Sequence, residues 1–353
     1  PTPFSPRVEL RKEAADVVVL ANTQYLRSSP DLATDLQYAH EDAVLSESRG
    51  MTTDGMIDKL LLGQALAKDR PLWNYLGTFQ EGDFGRLVSP EMVSMNVSTA
   101  FACQARPWVV YYGFFEEPEA NKPALDRMAT TLRWHRAHDP ERRGLKPYAP
   151  VLSLVSLTSR NCRSTALIPG HVTALRKRGV CARMVEEQAL SEGGLEGCRV
   201  LLIEDAPCLS EESIAAIAGF VRGGGVLITP AETGLFDEIG RLRPRSALWT
   251  ELAVTPVPGQ PMRLGKGTVI AMTLPAPWED LAEWLEPAQF HVEPEIEASV
   301  LPYVDRRGEL VVYVCGQHAL AAKTRVRAPE GASGSAILCS PDQPEPRVID
   351  LSE

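Results

Sequence analysis

The sequence predicts an α/β chain in three parts. These are the second half of a (β/α)8 barrel over residues 1–148, a doubly wound α/β domain over 149–285 and a small antiparallel β domain over 286–353. Three observations carry this. In the first part, four short apolar runs each end in a polar or aromatic cluster, and a stretch of helical spacing follows each, as in consecutive strand–helix units. A second alternation of apolar runs and helical stretches begins after a charged, Pro-rich segment. From about residue 290 helical periodicity gives way to strand-like runs with turn signals.

The four runs are Val17–Tyr25, Ala43–Arg49, Pro71–Thr78 and Pro107–Phe115. Helical stretches are expected at Thr53–Ala67, Ser89–Cys103 and Pro118–Ala137, with Ser89 as an N-cap before Pro90. Residues 139–150 (DPERRGLKPYAP) have a linker signature, and Arg142–Arg143 and Glu116–Glu119 are expected on the solvated surface. Val151–Leu157, Ala182–Val185, Val200–Ile203 and Val226–Thr229 are expected strands. Thr165–Arg178 is read as a helix stopped by Gly179, and Ser210–Val221 as a helix capped by Ser210 and stopped by Gly223–Gly225. In the last part, Val300–Val304, Leu310–Val314, Thr324–Ala328 and Ala336–Cys339 are strand-like, with a turn at Arg307–Gly308. Val348–Leu351 offers no obvious closing strand, which is read as a sign of truncation.

A complete barrel takes about 250 residues, so the four units read as half of one. A bare half would leave parallel edges unpaired. The missing strands are expected upstream of Pro1 or on a partner chain. The alternative is an open four-stranded sheet covered by helices. The barrel is preferred because the strand ends are rich in Asn, Gln, Tyr, Trp and Glu, and barrel chemistry sits where strands end.

Net charge of −10 argues against a nucleic-acid partner. No apolar run approaches the length that spans a bilayer, and no signal-like segment is seen. The seven cysteines, Cys103, Cys162, Cys181, Cys198, Cys208, Cys315 and Cys339, form no CxxC pair. They read as reduced thiols of a cytoplasmic protein, with no metal and no cofactor expected. The strand-end residues Asn22, Gln24, Tyr25, Trp73, Asn74, Tyr75, Tyr111 and Tyr112 combine stacking faces with amides that bind vicinal hydroxyls, which suits a carbohydrate pocket. Alternation turns about half of them inward and packs the rest under helices. His135 and His138 are read as a solvated helix end, and His40–Asp42 as surface capping at the far end of a strand.

The helix Ser89–Cys103 feeding Arg106–Gly113 (RPWVVYYG) resembles the closing part of the catalytic barrel of the family 42 β-galactosidases. The segments Cys198–Pro207 (CRVLLIEDAP), Phe220–Thr229 (FVRGGGVLIT), Glu232–Gly234 and Asp237–Glu238 resemble the trimerisation domain that follows that barrel, a flavodoxin/amidotransferase-like fold. Residues 265–353 look like the β domain that ends such proteins. The resemblance implies a retaining glycoside hydrolase acting on a β-linked sugar such as a galactoside, and a homo-oligomer, a trimer being one form. It also implies an acid/base glutamate on the fourth strand and a nucleophile on the seventh. If Pro107–Phe115 is the eighth strand, the fourth lies upstream of Pro1, and the seventh, Pro71–Thr78, holds no glutamate. That departure keeps open a catalytically inactive sugar-binding or assembly protein on the same scaffold.

Glycoside cleavage needs two carboxyl groups flanking the scissile bond. Glu47, after an apolar strand, is the best-placed carboxylate in the chain, and Arg49 beside it would hold its pKa low, as suits a nucleophile or base. A structural ion pair, or a hydrogen bond to a sugar hydroxyl, is the other reading of Glu47. Cys208 lies in Asp205–Leu209, where Pro207 precludes a nucleophile turn, so it is not expected to be catalytic.

Overall fold

The computed structural model describes residues 42–48, 53–68, 70–80, 83–110, 118–142, 144–163, 165–166, 168–274, 276–285, 291–293, 298–316, 325–327, 335–340 and 343–350. The first expected strand, Val17–Tyr25, lies outside them. The next three runs form a parallel sheet in the order β1 (Val44–Ser48), β2 (Leu72–Gly77), β5 (Arg106–Val110). Helices α1 (Thr53–Ala67), α2 (Pro90–Ala102) and α3 (Pro118–Ala137) alternate with them, and a hairpin of β3 (Phe79–Gln80) and β4 (Asp83–Leu87) intervenes. The α2 cap is as expected: Ser89 Oγ accepts the Met92 N–H at 3.3 Å, offsetting one of the unpaired N–H groups of a helix start. Leu60, Leu61, Val93 and Val97 from these helices are fully buried against the sheet.

The segment read as a linker is built into the structure. Asp139–Arg142 forms α4, and β6 (Lys146–Pro147) pairs antiparallel with β14 (Ala298–Val304). Arg142, expected on the surface, instead lies over the Phe101 ring at 4.2 Å. His135 is likewise not solvated: it is 3% exposed, stacked on Phe101 with ring centroids 4.1 Å apart and bonded to Ser98 Oγ at 3.0 Å. Helical spacing placed His135 at a helix end, but the packing of α2 on α3 buries that end.

The second sheet has the order β11 (Pro261–Leu264), β12 (Gly267–Ala271), β10 (Val226–Thr229), β9 (Val200–Leu202), β7 (Val151–Val155), β8 (Ala182–Glu186), parallel except for β11. Its parallel strands follow the flavodoxin-like order, and the order reverses between β7 and β9. One face is covered by α7 (Glu211–Gly223) and α8 (Ala247–Leu252) through Ile214, Ile217, Val221 and Leu248. The other is covered by Leu175 of α6 (His171–Lys177) and by Leu281 of α9 (Trp278–Leu281). Burial on both faces explains why these strands read as unbroken apolar runs. The expected helix over 165–178 is shorter than expected, since α6 begins only after Pro169–Gly170, and a separate helix, α5 (Leu157–Arg163), precedes it where none was expected. Ser210 caps α7, and Gly224 ends it at φ +123°, a backbone region that favours glycine.

In the last part, β14 pairs with β15 (Leu310–Gly316), β13 (His291–Glu293) with β16 (Arg325–Arg327), and β17 (Ser335–Ser340) with β18 (Gln343–Asp350). The closing strand absent from the sequence reading therefore exists as β18. Pro344 and Pro346 disguised it, and the register shift between Leu338 and Ser340 accommodates the residues that carry no N–H. The β14–β15 hairpin sits in the same core as the first sheet. Tyr303, fully buried, donates its hydroxyl to Ala102 O at 2.8 Å.

Candidate functional site

The register of the first sheet sorts its side chains into two faces. Leu45, Trp73 and Arg106 form one row and Glu47, Tyr75 and Trp108 the next, on the same face. Ser46, Asn74 and Pro107 form a row on the opposite face, the one that also carries Leu72. Leu72 packs so closely on α1 that a Cβ built at Gly63 would lie 2.7 Å from its Cδ1. The Asn74 face is thus the helix-covered one, and the Glu47 face is the one a barrel would turn inward. Trp108 meets Trp73 and Tyr75 edge-to-face at 6.5 and 5.9 Å, and it remains 45% exposed.

Glu47 therefore stands in a row with aromatic rings, at the C-terminal end of its strand. Lys59 of α1 reaches this end and donates to Glu47 O at 3.0 Å. Burial pulls the Lys59 ammonium pKa down, and the negative charge of Glu47 opposes that shift. Sequence reasoning assigned the neighbouring cation to Arg49, which lies outside the described residues, and did not find Lys59, which only the packing of α1 brings within reach. Trp73 shares the Glu47 face. Asn74 does not: it is fully buried on the helix side, and neither atom of its amide has a hydrogen-bond partner among the described residues. Of the other expected pocket residues, Asn22, Gln24, Tyr25, Tyr111 and Tyr112 lie outside the described residues. Trp108, absent from the expected set, completes the aromatic cluster. An apolar strand residue followed by two valines gave no signal that it faces inward.

The reversal point of the second sheet is the other place where a doubly wound fold binds ligands. Here it is filled by the chain itself. Glu187, 2% exposed, accepts Ser156 Oγ at 2.7 Å and Ser213 Oγ and the Ser210 N–H at 3.2 Å. Ser159 Oγ both accepts the Cys208 N–H at 2.9 Å and donates to Cys208 O at 2.8 Å. The Cys208 thiol is buried and its pKa is pushed up to about 11, chiefly by burial, which is unsuited to a nucleophile at neutral pH. Ser153, His171 and Glu204 form a relay, with Ser153 Oγ to Nε2 at 3.0 Å and Nδ1 to Glu204 Oε2 at 2.6 Å. Ser153 is fully buried in mid-strand, between Met184 and Leu202, so no substrate reaches it. The Gly223–Gly225 triplet forms the α7-to-β10 turn.

No family model matches the chain, and no curated protein matches it. Solved structures do. The β-galactosidase of Bacillus circulans sp. alkalophilus superposes with a TM-score of 0.69 at 12% identity, over 98% of this chain and 64% of that one. Gan42B, a GH42 β-galactosidase from G. stearothermophilus, gives 0.63 at 13% identity, over 90% and 64%. The β-galactosidase of Rahnella sp. R3 gives 0.58 at 13% identity, over 80% and 56%. The chain thus spans less than two thirds of the length of these structures. Sequence order, sheet topology and these superpositions agree that over most of its length the chain has the fold of the GH42 β-galactosidases, a partial barrel followed by a doubly wound domain.

Proposed function

We propose that the chain forms part of a glycoside hydrolase that cleaves a β-linked sugar such as a galactoside with retention, and that Glu47 supplies one of its two carboxylates. The observation that carries this reading is the shared face of Glu47, Trp73, Tyr75 and Trp108. Aromatic rings stack on the apolar face of a sugar, and a carboxylate at the strand end reaches the glycosidic centre. Asn22, Gln24, Tyr25, Arg49, Tyr111 and Tyr112 belong to the same pocket in this proposal, whose second carboxylate stands elsewhere. The middle domain, over 149–285, serves as an oligomer contact.

Glu47→Gln is expected to lower kcat on an aryl β-galactoside by about 10²–10⁴-fold or more, with the thermal midpoint unchanged. Turnover unaffected by this substitution would remove Glu47 from the mechanism. A second reading, a sugar-binding protein without turnover, draws on one feature. Among the described residues, Glu47 is the only carboxylate on that face of β1, β2 and β5. Calorimetric binding of galactosides without hydrolysis of any aryl glycoside would favour it.

A further inference from the structure

A cavity of about 780 Å³ lies at the edge of the second sheet where the parallel strands begin, opposite the reversal point described above. Its roof is the start of three neighbouring strands, through Val151 of β7, Val200 of β9 and Val226 of β10. Its walls come from both faces of the sheet. Leu190, Leu195 and Phe220 belong to the apolar layer on the α7 side, and Val180 and Trp284 to the layer on the α9 side. The cavity thus joins two apolar layers that the sheet otherwise separates. Two of its polar side chains are already engaged within the chain. Ser191 Oγ donates to Gln188 O at 3.2 Å and Cys198 Sγ to Val200 O at 3.3 Å. A space of this size and lining suits an organic ligand better than water, which needs several polar partners to stay.

Helix α7 keeps the space open. Gly219 in its interior and Gly223 one turn on both line the cavity, and a Cβ at either would meet nothing within 4 Å. Neither has a positive φ. Glycine is, after proline, the costliest residue in a helix interior, and here neither backbone conformation nor close packing calls for it. What the two positions provide is room. Arg199 provides charge. Among the described residues it is the one charged side chain of the lining, and it is exposed, which sets it at the opening. Its backbone is pinned between strands: the N–H donates to Pro150 O at 2.8 Å, and the carbonyl accepts the Val226 N–H at 2.9 Å. The guanidinium therefore springs from a fixed base. We propose that this cavity binds an amphiphilic organic anion, its apolar body against Leu195, Phe220 and Trp284 and its carboxylate or sulfonate at Arg199. The site stands apart from the Glu47 face and does not depend on the glycosidase reading.

The test titrates the folded chain with anilinonaphthalene sulfonate, an aromatic anion that fluoresces when it leaves water, and with phenylnaphthylamine, its uncharged counterpart. Saturable binding of the anion at a single site is expected, with a thermal midpoint that rises with its concentration. Gly219→Leu places a side chain in the open space and is expected to weaken both probes by roughly tenfold or more, while the midpoint of the unliganded chain holds or rises. Gly219→Ala adds one methyl to the helix and is expected to keep the fold and weaken both probes less. Arg199→Gln is expected to weaken the anion about tenfold and leave the uncharged probe unchanged. Four results would each overturn the proposal: no saturable binding, anion binding that survives Gly219→Leu, equal losses of both probes in Arg199→Gln, or a dimer of the chain, seen by light scattering, that Gly219→Leu dissociates.

Discussion

His135 and Glu186 are two buried ionisable groups whose effects on stability run in opposite directions with pH. Burial, with the charges of Arg142 and His138, pushes the His135 pKa down to about 3 from an ordinary 6.5. Below pH 6.5 the unfolded chain takes up a proton that the folded chain refuses. Stability is therefore lost as pH falls from 6.5 towards 3, by at most about 1.4 kcal/mol per unit. Glu186, at the end of β8, is raised from 4.5 to about 7, mainly by burial. The folded chain keeps its proton up to about pH 7 while the unfolded chain releases it above 4.5, so this group removes stability as pH rises through that window. Urea unfolding across pH should show both. His135→Phe is expected to flatten the acid side. Glu186→Gln, which still accepts the Gln188 N–H held at 3.0 Å, is expected to add stability above pH 7. Trp108→Ala, at a half-exposed site on the Glu47 face, is expected to weaken sugar binding about tenfold with little change in stability, as titration calorimetry beside thermal melts would report.

Two elements carry contacts that a substitution exposes. Asp58 of α1 accepts from Arg176 Nη1 of α6 at 2.6 Å and from Thr173, and Arg176 is 1% exposed. Asp58→Ala leaves the buried guanidinium with Asp54, at 4.0 Å, as its remaining charge partner, and is expected to cost about 3 kcal/mol in denaturant unfolding. At the start of β12, a Cβ on Gly267 would lie 2.0 Å from Val221 O and 2.4 Å from Gly225 O. Both are backbone atoms that cannot swing aside, so Gly267→Ala is expected to cost about 3 kcal/mol in the same assay. Elements with a strong local signal were legible in the sequence. The bounds of α1 and the caps of α2 and α7 follow from apolar spacing and from Ser89 and Ser210. What stayed hidden is what depends on distant partners. The β3–β4 hairpin is too polar and short to announce itself, β18 carries two prolines, and β6 is a strand only because Val304 and Tyr303 pair with it. The candidate site divides in the same way. Glu47 and Trp73 were candidates from strand ends, whereas Lys59 and Trp108 became candidates only once register and helix packing were known.

One helix of the first part touches both later parts of the chain, through α6 and through β14. At the start of α1, Asp54 pairs with Lys177 of α6 at 3.0 Å and accepts Ser299 Oγ of β14 at 2.9 Å. Further along, Gln64 donates to Tyr303 OH at 3.3 Å. With its acids and amide engaged by α6 and by β14, α1 cannot leave its place without exposing polar groups in each. A single calorimetric unfolding transition is expected for the chain, and two resolved transitions would show the sheets melting independently. The same joint has a consequence during synthesis. Asp54 and Ser299 are 245 residues apart in the chain. At about 5–20 residues per second, a ribosome needs roughly ten to fifty seconds to deliver the serine after the aspartate. Through that interval the place that Tyr303 fills beside α1 stands open, so this part of the core closes only after residue 303 has emerged.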